Sequence, residues 1–184
     1  MSRLILLGIG TTESPRFAPY GLLLEYGHIR VGFDGGPGSE PSENVHAWLV
    51  GDDRSALHGE RLRIARETGM PEPAVAPYDH GPLKVTPLPV AGDRHGYQIK
   101  IGHHLAAWAP ECAALPAWAE GEDLVFADGS SDWPATQEIA RTAKRLRVQR
   151  LVLVNLGAPA LAALDAGEPP PYGEWGEEGR RYRL

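Results

Sequence analysis

The sequence predicts a layered α/β sandwich with mixed β-sheets. Three observations support this fold class. Short apolar runs separated by turn residues open the chain, later apolar runs alternate with helical stretches, and few stretches are long enough for helices. With 184 residues, 42% of them apolar, the chain is large enough for one domain with its own core.

The first third of the chain is predicted to be a meander of strands. These strands are expected at 3–8, 21–27, 28–34 and 46–52. The tripeptide Tyr26-Gly27-His28 favours a tight hairpin. The segment 55–69 then predicts a helix that ends at Gly69. Its apolar face would hold Leu57, Leu62, Ile64 and Ala65.

The rest of the chain alternates strands with helices. Strands are expected at 83–90, 96–102, 104–110, 123–129 and 151–155. An amphipathic helix over 133–150 would turn Ile139, Ala143 and Leu146 inward. A last helix, over 158–167, stops at a glycine. Strand and helix alternation of this kind indicates mixed sheets covered by helices.

Charge and cysteine content limit the function classes. A net charge of −6 argues against a broad nucleic-acid surface, because phosphate binding needs clustered cations. Five basic residues within 141–150 leave an RNA-binding stripe as an alternative, which a solvated helix face explains more simply. The lone Cys112 excludes an internal disulfide and favours a reducing cytoplasm. The apolar N-terminal run is too short for a secretory or membrane segment, so no membrane contact is expected.

The tail, residues 168–184, is predicted to be an extended arm that lies on the surface of a domain formed by residues 1–167 or on a neighbouring subunit. It is rich in proline, glycine and charge, and so lacks a helical or strand pattern. Its Tyr172 and Trp175 need something to cover them. We therefore expect a homodimer that uses this arm.

The order of these segments resembles the metallo-β-lactamase superfamily, and in particular its branch with ribonuclease Z, small phosphodiesterases and pyrroloquinoline quinone biosynthesis protein B. The resemblance runs nearly end to end, through LLGIGTTESPRFAPYGLLLEYGHIRVGFDGGPG, HAWLVGDD, VTPLPV, HGYQIKIG, LAAWAPECAALPAWAEGEDLVFADGS and RLVLVNLGAPALAALDAGE. It implies a four-layer αββα sandwich of two mixed sheets. Because the chain is short between Asp52 and Pro87, a reduced version is expected.

The metal-binding motif of that superfamily has no counterpart here. The motif, Thr-His-x-His-x-Asp-His, holds two zinc ions and activates water. At the matching strand end, 51–57, Asp52 and Arg54 stand in place of the first two histidines, and Ala56 and Leu57 in place of the aspartate and third histidine. An arginine cation repels a dication, and alanine and leucine offer no lone pairs.

The later ligand positions of the superfamily are also changed. Glu111 stands in place of the bridging aspartate and Asn155 in place of the last histidine, while His95 comes a few residues late. Asp34 is retained, although in the superfamily it mainly orients other groups. The resemblance thus implies a non-catalytic protein without a metal cofactor, whose old cleft binds a small molecule or a protein partner, or which is a subunit of an assembly. The expected cleft residues are Thr11, Thr12, Ser14, Asp34, Asp52, Asp53, Arg54, His95, Glu111, Asp128 and Asn155.

The enzyme alternative is a phosphodiesterase-like, metal-dependent hydrolase. Its rebuilt site would use Asp52, Asp53, His95 and Glu111, with zinc or manganese at low occupancy. Against this alternative, the Arg54 guanidinium is expected to occupy the metal position as an internal cation.

Other polar clusters have simpler explanations. The pair His103-His104 and the segment Asp79-His80-Gly81 are typical of turns. Cys112 is expected to be a small buried thiol, since no histidine is assignable as its base.

Overall fold

The computed structural model describes residues 2–42, 44–130 and 132–184. Two β-sheets face each other and helices cover their outer faces. The strands are β1 (Ser2–Gly8), β2 (Gly21–Tyr26), β3 (Ile29–Asp34), β4 (Ala47–Leu49), β5 (Tyr78–His80), β6 (Leu83–Ala91), β7 (Arg94–Ile101), β8 (His104–Ala109), β9 (Leu124–Asp128), β10 (Leu151–Val154), β11 (Glu174–Trp175) and β12 (Arg181–Arg183). The helices are α1 (His58–Thr68), α2 (Trp133–Arg145) and α3 (Ala158–Asp165).

Both sheets are mixed, as predicted. The first sheet has the order β12-β1-β2-β3-β4, in which only β3 and β4 pair in parallel. The second has the order β11-β10-β9-β8-β7-β6-β5, parallel from β11 to β8 and antiparallel beyond. Helix α1 packs on the first sheet, and α2 contacts β9 of the second. The architecture is the predicted four-layer αββα sandwich.

Strand β1 shows how one sheet serves two cores. Its buried and half-buried residues alternate, because successive side chains of a strand point to opposite faces. Leu4 and Leu6 pack into the core between the sheets. Ile5 and Leu7 pack against the cluster that contains Ile64 of α1.

Helix α1 ends as predicted but buries an unexpected residue. Gly69 caps it in the left-handed region, at φ 71°, which glycine adopts without a Cβ penalty. Ile64 and Ala65 are buried, whereas Leu57 and Leu62 are only half-buried. The third buried residue of the helix is Arg61, which is 1% exposed.

Helix α2 is shorter than the predicted 133–150. It ends at Arg145 because Arg147 takes a left-handed conformation, at φ 56°, and the chain leaves the helical path. Ile139 and Ala143 are buried as expected, whereas Leu146, beyond the helix end, is only half-buried. The prediction overran because basic residues continue the amphipathic pattern past the turn.

The tail is extended, and it adds one strand to each sheet of its own chain. β12 pairs with β1, and β11 pairs with β10. Tyr182 is 1% exposed, and the Trp175 Nε1 donates to the Glu168 carbonyl at 2.8 Å. The Tyr172 hydroxyl donates to the Val148 carbonyl. The tail aromatics are thus held by their own chain, and the homodimer stays a prediction without that support.

Of the two polar segments that were predicted to be turns, the structure has one as a turn and the other in a strand. Gly102 and His103 form the predicted hairpin turn between β7 and β8. Asp79 and His80 belong to β5 rather than to a turn, because β5 pairs with β6 along the edge of the second sheet. Among the described residues, no helix is long and apolar enough to span a membrane.

Candidate functional site

The candidate site lies where the strands of both sheets end. Asp34 ends β3, Asp128 ends β9, Glu111 follows β8 and Asn155 follows β10. Strands β8, β9 and β10 are parallel, so their carboxyl ends share one edge of the second sheet. A hydrogen bond between Trp108 and Asp34 joins this edge to the first sheet. Of the expected cleft residues, Asn155 is hydrogen-bonded to Asp128 at 3.2 Å, and the charge of Glu111 acts on Asp128.

Asp34 is the most enclosed carboxylate of this rim, with 3% exposure. Its Oδ1 accepts from the Gly51 backbone N–H at 2.9 Å, and its Oδ2 accepts from Trp108 Nε1 at 2.8 Å. The Arg61 Nη2 lies 3.8 Å from Oδ1. Both carboxylate oxygens are therefore engaged by groups of the same chain.

Arg61 supplies a buried cation next to Asp34. Its Nε donates to the Gly35 carbonyl at 2.8 Å, and its Nη1 donates to the Ser55 Oγ at 3.3 Å. A buried charge is tolerated only when it is paired and hydrogen-bonded, and Arg61 meets both conditions. No periodic pattern in the sequence marks this arginine, because a lone arginine within a helix ordinarily lies at the surface.

Arg54 is not the internal cation that the sequence predicted. Its side chain is 66% exposed, and its Nη2 pairs with Asp93 Oδ2 at 2.7 Å. Its Nε lies 4.0 Å from Asp52 Oδ1, at the outer limit of an ion pair. Asp93, in the turn between β6 and β7, holds the guanidinium outward, and the buried cation is Arg61 instead.

Asp128 and Asn155 form a second buried pair. Asp128 Oδ1 accepts from the Ser130 N–H at 2.7 Å and from Asn155 Nδ2 at 3.2 Å. Asn155 Nδ2 also donates to the Pro110 carbonyl at 2.8 Å. Burial raises the pKa of the Asp128 carboxyl to about 6, with a smaller contribution from the Glu111 charge. The amide of Asn155 therefore stabilises the rim by donating hydrogen bonds.

Tyr20 belongs to this rim and was missed by the sequence analysis. The residue is 3% exposed, and its ring centroid lies 6.4 Å from that of Trp108. Burial raises the pKa of its phenol well above the usual value, and the Asp34 and Glu111 charges and a hydrogen bond with Glu111 add to this shift. The only sequence signal is its position directly before β2.

Cys112 is a buried thiol, as predicted. Burial raises its pKa to about 12, so the thiolate needed of a nucleophile is not formed near neutral pH.

The loop after β1 forms a groove beside the strand ends. Its cavity has a volume of about 380 Å³ and is lined by Thr11, Glu13, Ser14, Pro15, Leu156, Gly157, Ala158 and Leu161. Leu156 directly follows Asn155, and its N–H donates to the Ile9 carbonyl at 2.7 Å. Of the predicted loop contacts, Thr11 and Ser14 line the groove, while Thr12 is exposed outside it.

Asp52, Asp53 and His95 lie beside Gly51, whose N–H donates to Asp34 Oδ1. The His95 N–H donates to the Gly51 carbonyl at 2.9 Å, and a Cβ at residue 51 would meet the His95 carbonyl oxygen at 2.6 Å, so this approach requires glycine. Within the described part of the chain, the buried His95 Nδ1 has no hydrogen-bond partner. Asp52 Oδ1 accepts from the Arg54 N–H at 2.8 Å, and Asp53 is exposed.

These residues do not fit a pair of zinc ions. Over residues 2–42, 44–130 and 132–184, no group of three or more His, Cys, Asp and Glu is positioned to hold a metal ion. Arg61 places a cation beside Asp34, whose two oxygens are already engaged. Asn155 directs N–H donors rather than a lone pair at its neighbours. A dication would meet repulsion and few free donors at this rim.

Comparison with known proteins identifies the architecture. No family model and no curated protein matches the sequence. Among solved structures, the metallo-β-lactamase fold protein YhfI from Bacillus subtilis matches with a TM-score of 0.73 and 14% identity over 98% of both chains. A diphosphatase of the PhnP family matches with a TM-score of 0.73 and 14% identity, over 98% of this chain and 96% of its own. Zinc-bound PqqB from Methylobacterium extorquens matches with a TM-score of 0.66 and 13% identity, over 99% of this chain and 100% of its own. The chain has the metallo-β-lactamase fold.

Proposed function

We propose that this chain is a non-catalytic protein of the metallo-β-lactamase fold that binds a small ligand beside the strand ends, alone or as a subunit of an assembly. The observation that carries the proposal is the buried Asp34–Arg61 pair. A guanidinium balances a carboxylate charge as a metal ion would. It cannot polarise a bound water as a Lewis acid, which is the step on which hydrolysis in this fold depends.

The neighbouring polar groups support the same proposal. Asp128 is tied to Ser130 and Asn155, and Cys112 remains a protonated thiol. No free base and activated nucleophile face each other among these residues. Their hydrogen bonds are those of a closed structural network.

The groove offers a place for a ligand. Its volume of about 380 Å³ lies within the range of small-molecule pockets, roughly 300–1,000 Å³. Leu156 and Leu161 give it an apolar wall, while Thr11 and Glu13 provide a hydroxyl and a carboxylate. This lining suits a small ligand with an apolar body and one hydrogen-bond donor.

The second candidate is a metal-dependent hydrolase, with a site rebuilt around Asp52, His95 and Glu111. The unpartnered His95 Nδ1 favours it, and so does the likeness in fold to a diphosphatase. The Arg94 guanidinium opposes it, because its Nε lies 3.8 Å from Glu111 Oε2 and competes with any cation.

Metal content and hydrolysis separate the two functions. Protein purified without chelator is analysed for zinc and manganese, and assayed with bis-p-nitrophenyl phosphate in the presence of each metal. The zinc contents of wild type and of an Asp52→Asn, Glu111→Gln double variant should differ by less than about one-half equivalent. The reason is that a stable catalytic site needs three good protein ligands. No hydrolysis above the buffer rate is expected.

The hydrolase would be supported by stoichiometric metal together with turnover that disappears in the Asp52→Asn, Glu111→Gln variant. The exposed Asp93→Asn variant is the matched control, since it removes one nearby carboxylate that belongs to none of the candidate ligand sets. Equal loss of turnover in that control would mean that turnover depends on the negative charge of this region and not on specific metal ligands.

A further inference from the structure

Three histidines meet at the end of the sandwich opposite the candidate site. The His28 ring centroid lies 5.8 Å from that of His80 and 6.1 Å from that of His46. His28 lies in the turn between β2 and β3, His46 directly precedes β4, and His80 ends β5. All three residues are exposed.

This cluster is separate from the rim that contains Asp34. His28 precedes β3 and Asp34 ends it, so the two residues are about 20 Å apart along an extended strand. β4 runs parallel to β3, which places His46 at the same end as His28. The cluster also joins the two sheets, because β4 is the edge of the first and β5 the edge of the second.

The spacing of the rings is close to that of imidazoles sharing one metal ion. Two imidazoles on one tetrahedral zinc, with Zn–N of about 2.0–2.1 Å, have ring centroids about 5 Å apart. The two separations from His28 exceed this by about 1 Å, and rotation of the exposed His28 and His80 side chains is needed to bring all three rings to one ion. As the rings stand, they do not yet form a metal-binding group within the described residues.

The chemistry of the cluster suits a borderline divalent metal. His46 Nδ1 accepts from the Arg30 N–H at 3.2 Å, which orients the ring and leaves its Nε2 to bind. The nearby Arg30 guanidinium is paired with Glu25, with Nε 3.5 Å from Oε1, so its charge is partly balanced. Neutral imidazoles favour zinc, copper and nickel over magnesium.

We propose that His28, His46 and His80 bind one zinc ion, which joins the edge of the second sheet to the first. Metal binding draws the three rings together, and water completes the coordination. Because the ligands come from both sheets, bound zinc stabilises the packing of β5 against the β2–β3 turn.

The test is zinc titration of the full chain without a histidine tag, followed by calorimetry and by thermal unfolding. Wild-type protein should bind one equivalent and unfold at a higher temperature with zinc, and should not respond to magnesium. His28→Gln and His80→Gln should each weaken zinc binding about tenfold or more, since loss of even an outer-shell partner costs about 10–100-fold. His103→Gln, an exposed histidine in another turn, is the control and should bind like wild type.

The proposal is overturned by an absence of saturable zinc binding, or by unchanged affinity in both His28→Gln and His80→Gln. Because these residues are exposed, the metal-free variants should unfold at the wild-type temperature, which shows that they are folded. Zinc binding lost in the Asp52→Asn, Glu111→Gln variant, but kept in His28→Gln, would contradict both this proposal and the non-catalytic function. Zinc binding lost only in the histidine variants leaves the proposed function intact.

Discussion

At the carboxyl end of β3, Asp34 is 3% exposed and both of its carboxylate oxygens are engaged, whereas at the amino end of the same strand the His28 ring is exposed. The resemblance to metal-dependent hydrolases predicts a metal site at the rim around Asp34. The lone pairs of the Asp34 carboxylate are largely used by Trp108, Gly51 and Arg61. The resemblance predicts no metal site at the opposite end, yet the histidine side chains there are exposed to solvent.

The contrast shows that residue type alone does not define a metal site. A carboxylate that accepts internal hydrogen bonds contributes to stability, and its release for a ligand would leave buried donors unsatisfied. An exposed imidazole exchanges only water when it binds a metal. The proposed zinc site accordingly lies at the end of the molecule where imidazole side chains are exposed.

The largest expected effect tests whether the rim is held by its internal cation. Arg61→Met should lower the free energy of unfolding by about 3–5 kcal/mol, because it leaves the buried Asp34 carboxylate without its cation. Urea unfolding followed by circular dichroism measures this. Adding Asp34→Asn to Arg61→Met should recover part of the loss. Arg63→Met, on the exposed face of the same helix, is the control, and an equal loss there would contradict the role assigned to Arg61.

A smaller effect concerns the pH dependence of the rim. Burial raises the pKa of Asp128 from 3.8 to about 6, so between these values the folded state binds more protons than the unfolded state. The Asp128 contribution to stability is thus present at acidic pH and is lost as pH rises through this window. Asp128→Asn keeps an acceptor for Ser130 and Asn155 but has no charge.

As pH rises from 4 to 7, the free energy of unfolding of Asp128→Asn should therefore rise relative to that of wild type by about 1–3 kcal/mol. This magnitude follows because a pKa shift of one unit corresponds to about 1.4 kcal/mol. Urea unfolding at both pH values measures the change. The exposed Asp53→Asn should show no such trend. A pH-independent difference between Asp128→Asn and wild type would mean that the carboxyl titrates normally in the folded state.

The smallest effect is expected at Arg54. Its guanidinium is 66% exposed and pairs with the exposed Asp93, and such surface pairs add little to stability. Arg54→Ala should leave the urea midpoint close to that of wild type, and it should not create phosphodiester hydrolysis. A destabilisation as large as that of Arg61→Met would restore Arg54 as the internal cation and weaken the contrast between the two ends.

The sequence by itself determined the order of β1–β4, β6–β10 and the three helices, the stop of α1 at Gly69, the turn before His104 and the replacement of histidines at 51–57, but not β5, β11 or β12. These features depend on side-chain periodicity and on conformations of single residues, which operate over a few positions. The convergence of strand ends was also predictable, because it follows from the resemblance in segment order.

Only the tertiary structure decided which arginine is buried, how the tail is used and where histidines meet. Arg54 and Arg61 are indistinguishable by local pattern, and burial of one depends on Asp34, Gly35 and Ser55 from distant segments. The tail gains its structure by pairing with β1 and β10, contacts that no local propensity encodes. His28, His46 and His80 are separated by 18 and 34 positions, and the packing of two sheet edges brings their rings together. Local sequence sets which conformations are favourable, but burial and proximity arise from contacts between segments far apart in the chain.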